Sequence, residues 1–125
     1  MQTRKILDGA VIVQMLSPRN SQIFEDYSKS VYIPYIEQQL EHANRIDIVW
    51  DVYTQGSLKA ATREKKMRVE LSSKMPSNWK SFLRVNENKT KLFHLLAEEA
   101  TGRDIPDKQV FSTYGDKLLS TPRGI

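Results

Sequence analysis

Apolar residues fall in short blocks whose spacing changes along the chain, and each change of period marks an element. Lys5-Ile6-Leu7-Asp8 is a brief apolar run stopped at Asp8-Gly9, which predicts a first strand ending in a turn. Ala10 to Leu16 predicts a short helix, closed by Ser17-Pro18-Arg19-Asn20. From about Ser21 to Ala43 the positions Ile23, Tyr27, Val31, Tyr35, Ile36 and Leu40 recur at helical intervals. Pro34 sits inside that stripe, removes a backbone donor and crowds the preceding turn, so two helices or one bent helix are expected.

Arg45 to Tyr53 is the clearest strand, rich in β-branched and aromatic residues, with apolar side chains on both faces at its centre. That pattern predicts a strand covered on both sides, as in a parallel sheet. With the first strand and the helical connection it makes a right-handed βαβ unit. Ser57 to Leu71 predicts a polar, basic helix, and 72–78 a flexible joint. Trp79, Phe82, Leu83 and Val85 mark a short packed element. Asn88 to Ala100 predicts an amphipathic helix stopped by Gly102, with Glu98 and Glu99 on its solvent face. Lys108–Thr113 and Lys117–Thr121 predict two short strands in a hairpin around Tyr114-Gly115-Asp116. The fold class is therefore α/β, a Rossmann-like open sheet with a parallel strand core and flanking helices, in one domain over 1–125.

Composition narrows the function classes. The 125 residues include no cysteine, which excludes a disulfide scaffold, a thiolate zinc site and a cysteine nucleophile. Ala10–Leu16 is interrupted by Gln14, is too short for a membrane span and lacks a small-residue cleavage site. No membrane partner is expected, and the location is expected to be intracellular, cytoplasmic or nuclear. The net charge of +4 points to an anionic partner, and its excess is local. Lys59, Arg63, Lys65, Lys66, Arg68 and Lys74 face only Glu64 and Glu70 over that stretch. A solvated helix face is the plain alternative.

Asp8 and Asp51 lie at or near the carboxyl ends of the two predicted strands. In an open α/β sheet those ends share one edge, where ligands bind. Two carboxylates brought together repel unless a hard cation holds them, and Mg²⁺ or Mn²⁺ suits an all-oxygen site. Displacement at phosphorus is the chemistry such a site supports. The plainer roles are a turn and helix cap for Asp8 and an ion pair with Lys59 or Arg63 for Asp51. Asp47 is expected at the opposite edge, as a surface residue. His42 and His94 have no partner at metal-ligand spacing, and Trp50 and Trp79 are expected in the core.

Lys5 to Leu16 resembles the opening of flap-endonuclease-like members of the PIN-like nuclease superfamily, in which a strand ends in a metal-binding Asp before small residues and a short helix. Val49-Trp50-Asp51-Val52-Tyr53, followed by Ser57-Leu58-Lys59 and Thr62-Arg63-Glu64-Lys65-Lys66, resembles the family's next block. The resemblance implies Asp8 and Asp51 as the first two metal ligands. It implies Lys59 and Lys66 as cations at the scissile phosphate, and Lys59, Arg63, Lys65, Lys66 and Arg68 as a surface for DNA or RNA. The family's remaining carboxylates lie on later elements, and no strand-ending Asp-x-Asp follows Asp51 here. The chain thus resembles the front part of such a domain, holding one edge of a two-metal site and expected to be inactive alone. The competing reading is a non-catalytic module that binds nucleic acid or protein through the basic helix 57–71. A phosphoryl-accepting α/β domain with Asp51 as acceptor is the more distant one, since no later strand clearly ends in a Lys.

Overall fold

The computed structural model describes residues 3–52, 68–102, 107–115 and 117–121. Its chain order is β1 (Arg4–Asp8), α1 (Gly9–Met15), α2 (Phe24–Tyr27), a π turn (Ser28–Tyr32), α3 (Ile33–Leu40), β2 (Arg45–Trp50), α4 (Trp79–Leu83), α5 (Asn86–Thr101), β3 (Gln109–Tyr114) and β4 (Lys117–Ser120). The four strands form one sheet in the order β1-β2-β3-β4. The first three run parallel, and β4 returns antiparallel through a turn that uses the positive φ of Gly115. Strands added stepwise in one direction through right-handed crossovers place their helices on one face. The architecture is an incomplete Rossmann-like α/β sheet.

Helical periodicity survives Pro34 because the chain loosens just before it. Ile33 donates to the Ser28 carbonyl five residues back, and Pro34 then occupies the first turn of α3, where a missing N–H costs nothing. The stretch expected as a joint is bound to the start of α2. Phe24 donates to the Ser73 carbonyl, Glu25 to Leu71, and Met75 to Gln22. Asn78 caps α4 by accepting from Ser81 N–H, and Gly102 caps α5 by donating to the Glu98 carbonyl. Lys108 reaches the carbonyls of Leu40 and Ala43, satisfying orphan acceptors where α3 ends.

One face of the sheet presents Ile46, Ile48, Trp50 and Val110 to the helices, all buried. Against them lie Ile12, Val13, Ile36, Leu40, Leu92, Phe93 and Leu96. An aromatic chain runs through this layer: Trp50 on Phe93 with centroids 4.6 Å apart, Tyr27 on Trp79 at 4.9 Å, and Trp79 stacked on Phe82 at 5.3 Å. Each such pair adds roughly 0.5–1.5 kcal/mol beyond burial. Trp50 is buried as expected, whereas Trp79 is half-buried and donates its indole N–H to the Val13 carbonyl.

Three expectations are corrected. Among the described residues nothing packs over the second face of β2 as the helices do over the first. The strand stops at Trp50, and Ile6, Val49 and Leu118 stand exposed on the other face of the sheet. The helix expected to reach Leu71 does not include 68–71, where the described chain is irregular and then turns. Asp47 is not a surface residue: it is buried, with Arg4 Nε at 2.6 Å and Arg45 Nη2 at 3.0 Å. Two cations straddling one acid on neighbouring strands leave little of that carboxylate to water, and Arg45 also lies 4.1 Å over the Phe111 ring.

Gly9 has no room for a side chain. A methyl group there would fall 2.2 Å from Cε3 of the buried Trp50 indole. Gly9→Ala is expected to destabilise the fold by about 2 kcal/mol through overpacking, against the gain of up to about 1 kcal/mol that helix propensity alone predicts. Urea midpoints of the two chains decide the sign. Burial by itself would raise the Asp47 pKa, but hydrogen bonds and charge from Arg45 and Arg4 bring it below the ordinary carboxylate value of 3.8. A depressed folded-state pKa contributes stability that is present above the unfolded value and disappears as pH falls through the folded one. Acid unfolding followed by circular dichroism should therefore show wild type losing stability below about pH 4, a component absent from Asp47→Asn.

Candidate carboxylate edge

Parallel register brings the carboxyl ends of β1 and β2 side by side. Asp8 is the register partner of Val49, and Asp51 follows Val49 by two residues. Both carboxylates thus belong to one sheet edge, and both are exposed. Asp8 is held by the helix it begins: its Oδ1 accepts from the N–H groups of Ala10 at 3.0 Å and Val11 at 3.4 Å. This is the capping role open to an Asp before Gly-Ala, and it fixes the carboxylate at the edge with Oδ2 uncommitted among the described residues.

Asp51 is placed by its predecessor. The Trp50 indole N–H donates to Ser112 Oγ at 2.8 Å, and its ring packs on Phe93, so the strand is anchored one residue before the acid. Lys89, in the first turns of α5, brings a cation near Asp51. Burial lowers the Lys89 ammonium below the ordinary lysine pKa, and the Asp51 charge partly counters that. The ion-pair partners expected from the sequence, Lys59 and Arg63, lie outside the described residues, as do Lys65, Lys66 and Tyr53. Arg68 is described, and it is exposed in irregular chain.

The residue pattern does not single out Lys89. The signal for it is topological: a helix that leads into a parallel strand begins over the carboxyl edge of the strands, so the first turns of Asn88–Ala100 had to lie there. The third strand ends at the same edge in Tyr114, whose hydroxyl donates to Thr90 Oγ1 at 3.3 Å and whose ring packs against His94 with centroids 4.6 Å apart. His94 is thereby a packing residue. Asp116 lies outside the described residues.

Glu98 is exposed, as expected of a solvent face. Glu99 is half-buried and accepts from the hydroxyl of the buried Ser28, so it is a packing contact between helices. Among the described residues no three His, Asp or Glu groups come close enough to hold a metal together, and no helix is long and apolar enough to cross a membrane. The edge therefore offers two exposed oxygen donors with a lysine nearby. No family model, curated protein or solved structure matches the chain.

Proposed function

We propose that this chain is part of a Mg²⁺-dependent, PIN-like nuclease domain of the flap-endonuclease-like kind, which hydrolyses phosphodiester bonds in DNA or RNA. The observation that carries the reading is the pair Asp8 and Asp51 at the carboxyl edge of adjacent parallel strands. The donor set fits a hard cation: two exposed carboxylates, one pre-oriented by backbone N–H groups, with space for water to complete the shell. A divalent ion held there would stabilise the entering and leaving oxygens of a displacement at phosphorus.

Within this reading Asp8 and Asp51 hold the ion, and Lys89 contributes positive charge at the edge a phosphate would approach. Lys59 and Lys66 are proposed at the scissile phosphate. Arg63, Lys65 and Arg68 join them along the backbone of the nucleic acid, where contacts give affinity rather than sequence choice. Two carboxylates are fewer than two cooperating metal ions require, so the chain by itself is expected to bind without cleaving. A second reading, a non-catalytic nucleic-acid- or protein-binding module, is favoured by the nearness of Lys89 to Asp51, because that lysine neutralises part of the charge a cation would use.

Mn²⁺ titration followed by water-proton relaxation tests the reading. Wild type is expected to bind at about millimolar concentration, typical of low-charge sites. The Asp8→Asn/Asp51→Asn chain should lose that binding yet keep its fold, because Asn caps a helix as well as Asp does. No binding by wild type removes the metal site and leaves the binding module. Replacing Lys59, Arg63 and Lys66 with Ala should flatten the salt dependence of duplex binding, by about 0.9 in the log–log slope for each phosphate no longer neutralised. An unchanged slope places the nucleic-acid surface elsewhere.

A further inference from the structure

β1 pairs with β2 along one side, and no described strand covers its other side. Which backbone groups are free follows from the hydrogen bonds it makes. The Thr3 carbonyl accepts from the N–H groups of Asn44 and Arg45, so Thr3, Lys5 and Leu7 turn their polar groups towards β2. Arg4 and Ile6 alternate with them and direct theirs outward, as does the N–H of Asp8, whose carbonyl serves the first turn of α1. Such a row is a template for another strand. Its side chains are exposed too: Ile6 is 64% accessible, and on the adjoining α1 Val11 and Met15, one turn apart, are 55% and 57% accessible.

We infer that this edge is the seam of a homodimer in which β1 of a second copy pairs antiparallel with β1, about a two-fold axis at Ile6. The inference goes beyond the nuclease reading and does not depend on it. Charge complementarity selects the occupant and its direction. In Arg4-Lys5-Ile6-Leu7-Asp8 the cations stand at one end and the anion at the other. Antiparallel pairing centred on Ile6 sets Arg4 opposite Asp8 of the second copy, and Asp8 opposite its Arg4, on one face. It sets Ile6 on Ile6 between them, and Lys5 opposite Leu7 on the other face. Opposite charges and apolar pairs directly across a ladder are stabilising. A parallel copy would set Arg4 against Arg4 and Asp8 against Asp8, which repel.

Arg4 keeps donors for this role: its Nε binds Asp47, its side chain remains 57% exposed, and a guanidinium carries five N–H groups. A five-residue edge alone falls short of the roughly 1,600 Å² of a standard interface. The apolar stripe of Val11 and Met15, on the helix that leaves the seam at Asp8, supplies further surface. Pairing would also close the parallel edge that lies across the sheet from β4, joining two four-stranded sheets into one of eight.

The chain contains no cysteine, so a single introduced thiol reports the seam directly. Across an antiparallel hydrogen-bonded pair the Cα atoms lie about 5.5 Å apart, within disulfide range. Wild type is expected to sediment at high micromolar concentration as a particle of twice the 14.5 kDa chain mass. The Ile6→Cys chain should form a disulfide-linked dimer on mild oxidation, whereas Leu118→Cys, equally exposed on β4, should not. Ile6→Lys places two ammonium groups together at the axis and should return the protein to monomer with its circular dichroism spectrum unchanged, since Ile6 packs against little within one chain. A monomeric wild type overturns the inference. So does a dimer that survives Ile6→Lys, or one that cross-links through Leu118→Cys and not through Ile6→Cys. Pairing engages the Asp8 carboxylate with Arg4 of the second copy, so Mn²⁺ binding is measured on the monomeric Ile6→Lys chain as well as on wild type, and the oligomeric state alone decides this inference.

Discussion

The Trp50 indole lies over Gly9 so closely that no side chain fits there, packs on Phe93 at 4.6 Å and donates to Ser112. Through one side chain the junction of β1 and α1, the end of β2, the middle of β3 and helix α5 are held together. Close packing leaves no slack at such a point, because a shift of the indole must be taken up by Gly9, Phe93 and Ser112 together. The end of β2 is fixed by this contact, and so is the place where Asp51 leaves the sheet. The start of α1 is fixed with it, and so is the carboxylate of Asp8 that caps that helix. The candidate edge is a consequence of how one tryptophan is seated.

A second constraint works at the opposite end of the strands. Asp47 is buried between Arg4 and Arg45, one cation from each of two neighbouring strands. An acid taken out of water needs such partners, and removing both would leave its charge uncompensated. The pair of contacts also favours the register in which Arg4 lies across from Arg45. A slip of one residue would turn Arg4 to the other face and break both the ion pair and the core pattern. One end of the sheet is pinned by packing and the other by charge, and parallel register carries that order to the edge that holds Asp8 and Asp51.

The described helices lie on one face of the sheet, and among the described residues the other face shows Ile6, Val49 and Leu118. Parallel sheets are ordinarily covered on both sides. An apolar face that no described element covers, beside a parallel edge with no described neighbour, is the physical form that incompleteness takes here. It bears on both readings above: a carboxylate edge with two acids needs more ligands for nuclease chemistry, and a strand with free polar groups needs a neighbour.

Much of this architecture was legible in the residues. The apolar run ending at Asp8, the strand begun at Arg45 (expected as far as Tyr53), the helical stripe from Ile23 to Leu40, the Leu92–Ala100 face and the turn at Gly115 each carry their period locally, because strand and helix bury side chains every second or every three to four residues. From two strand-ending acids and the crossover rule it also followed that Asp8 and Asp51 share an edge. What the residues did not show is what depends on neighbours distant in the chain. The stripe around Pro34 did not reveal that a π turn would absorb it. Nothing in Asp47 announced that Arg4, 43 positions earlier, would bury it. Lys89 became a partner of the edge only when α5 was laid over the strands, and the strong apolar pattern of Ile46–Trp50 did not disclose that no described element would cover its other face. The sequence by itself determined roughly where most of the described strands and helices lie and which of their positions share a face, since those are set by side chains within one turn or one pleat. Which charges meet, which face is covered and which edge is left unpaired was decided by tertiary structure, because those depend on how separate elements share one interior.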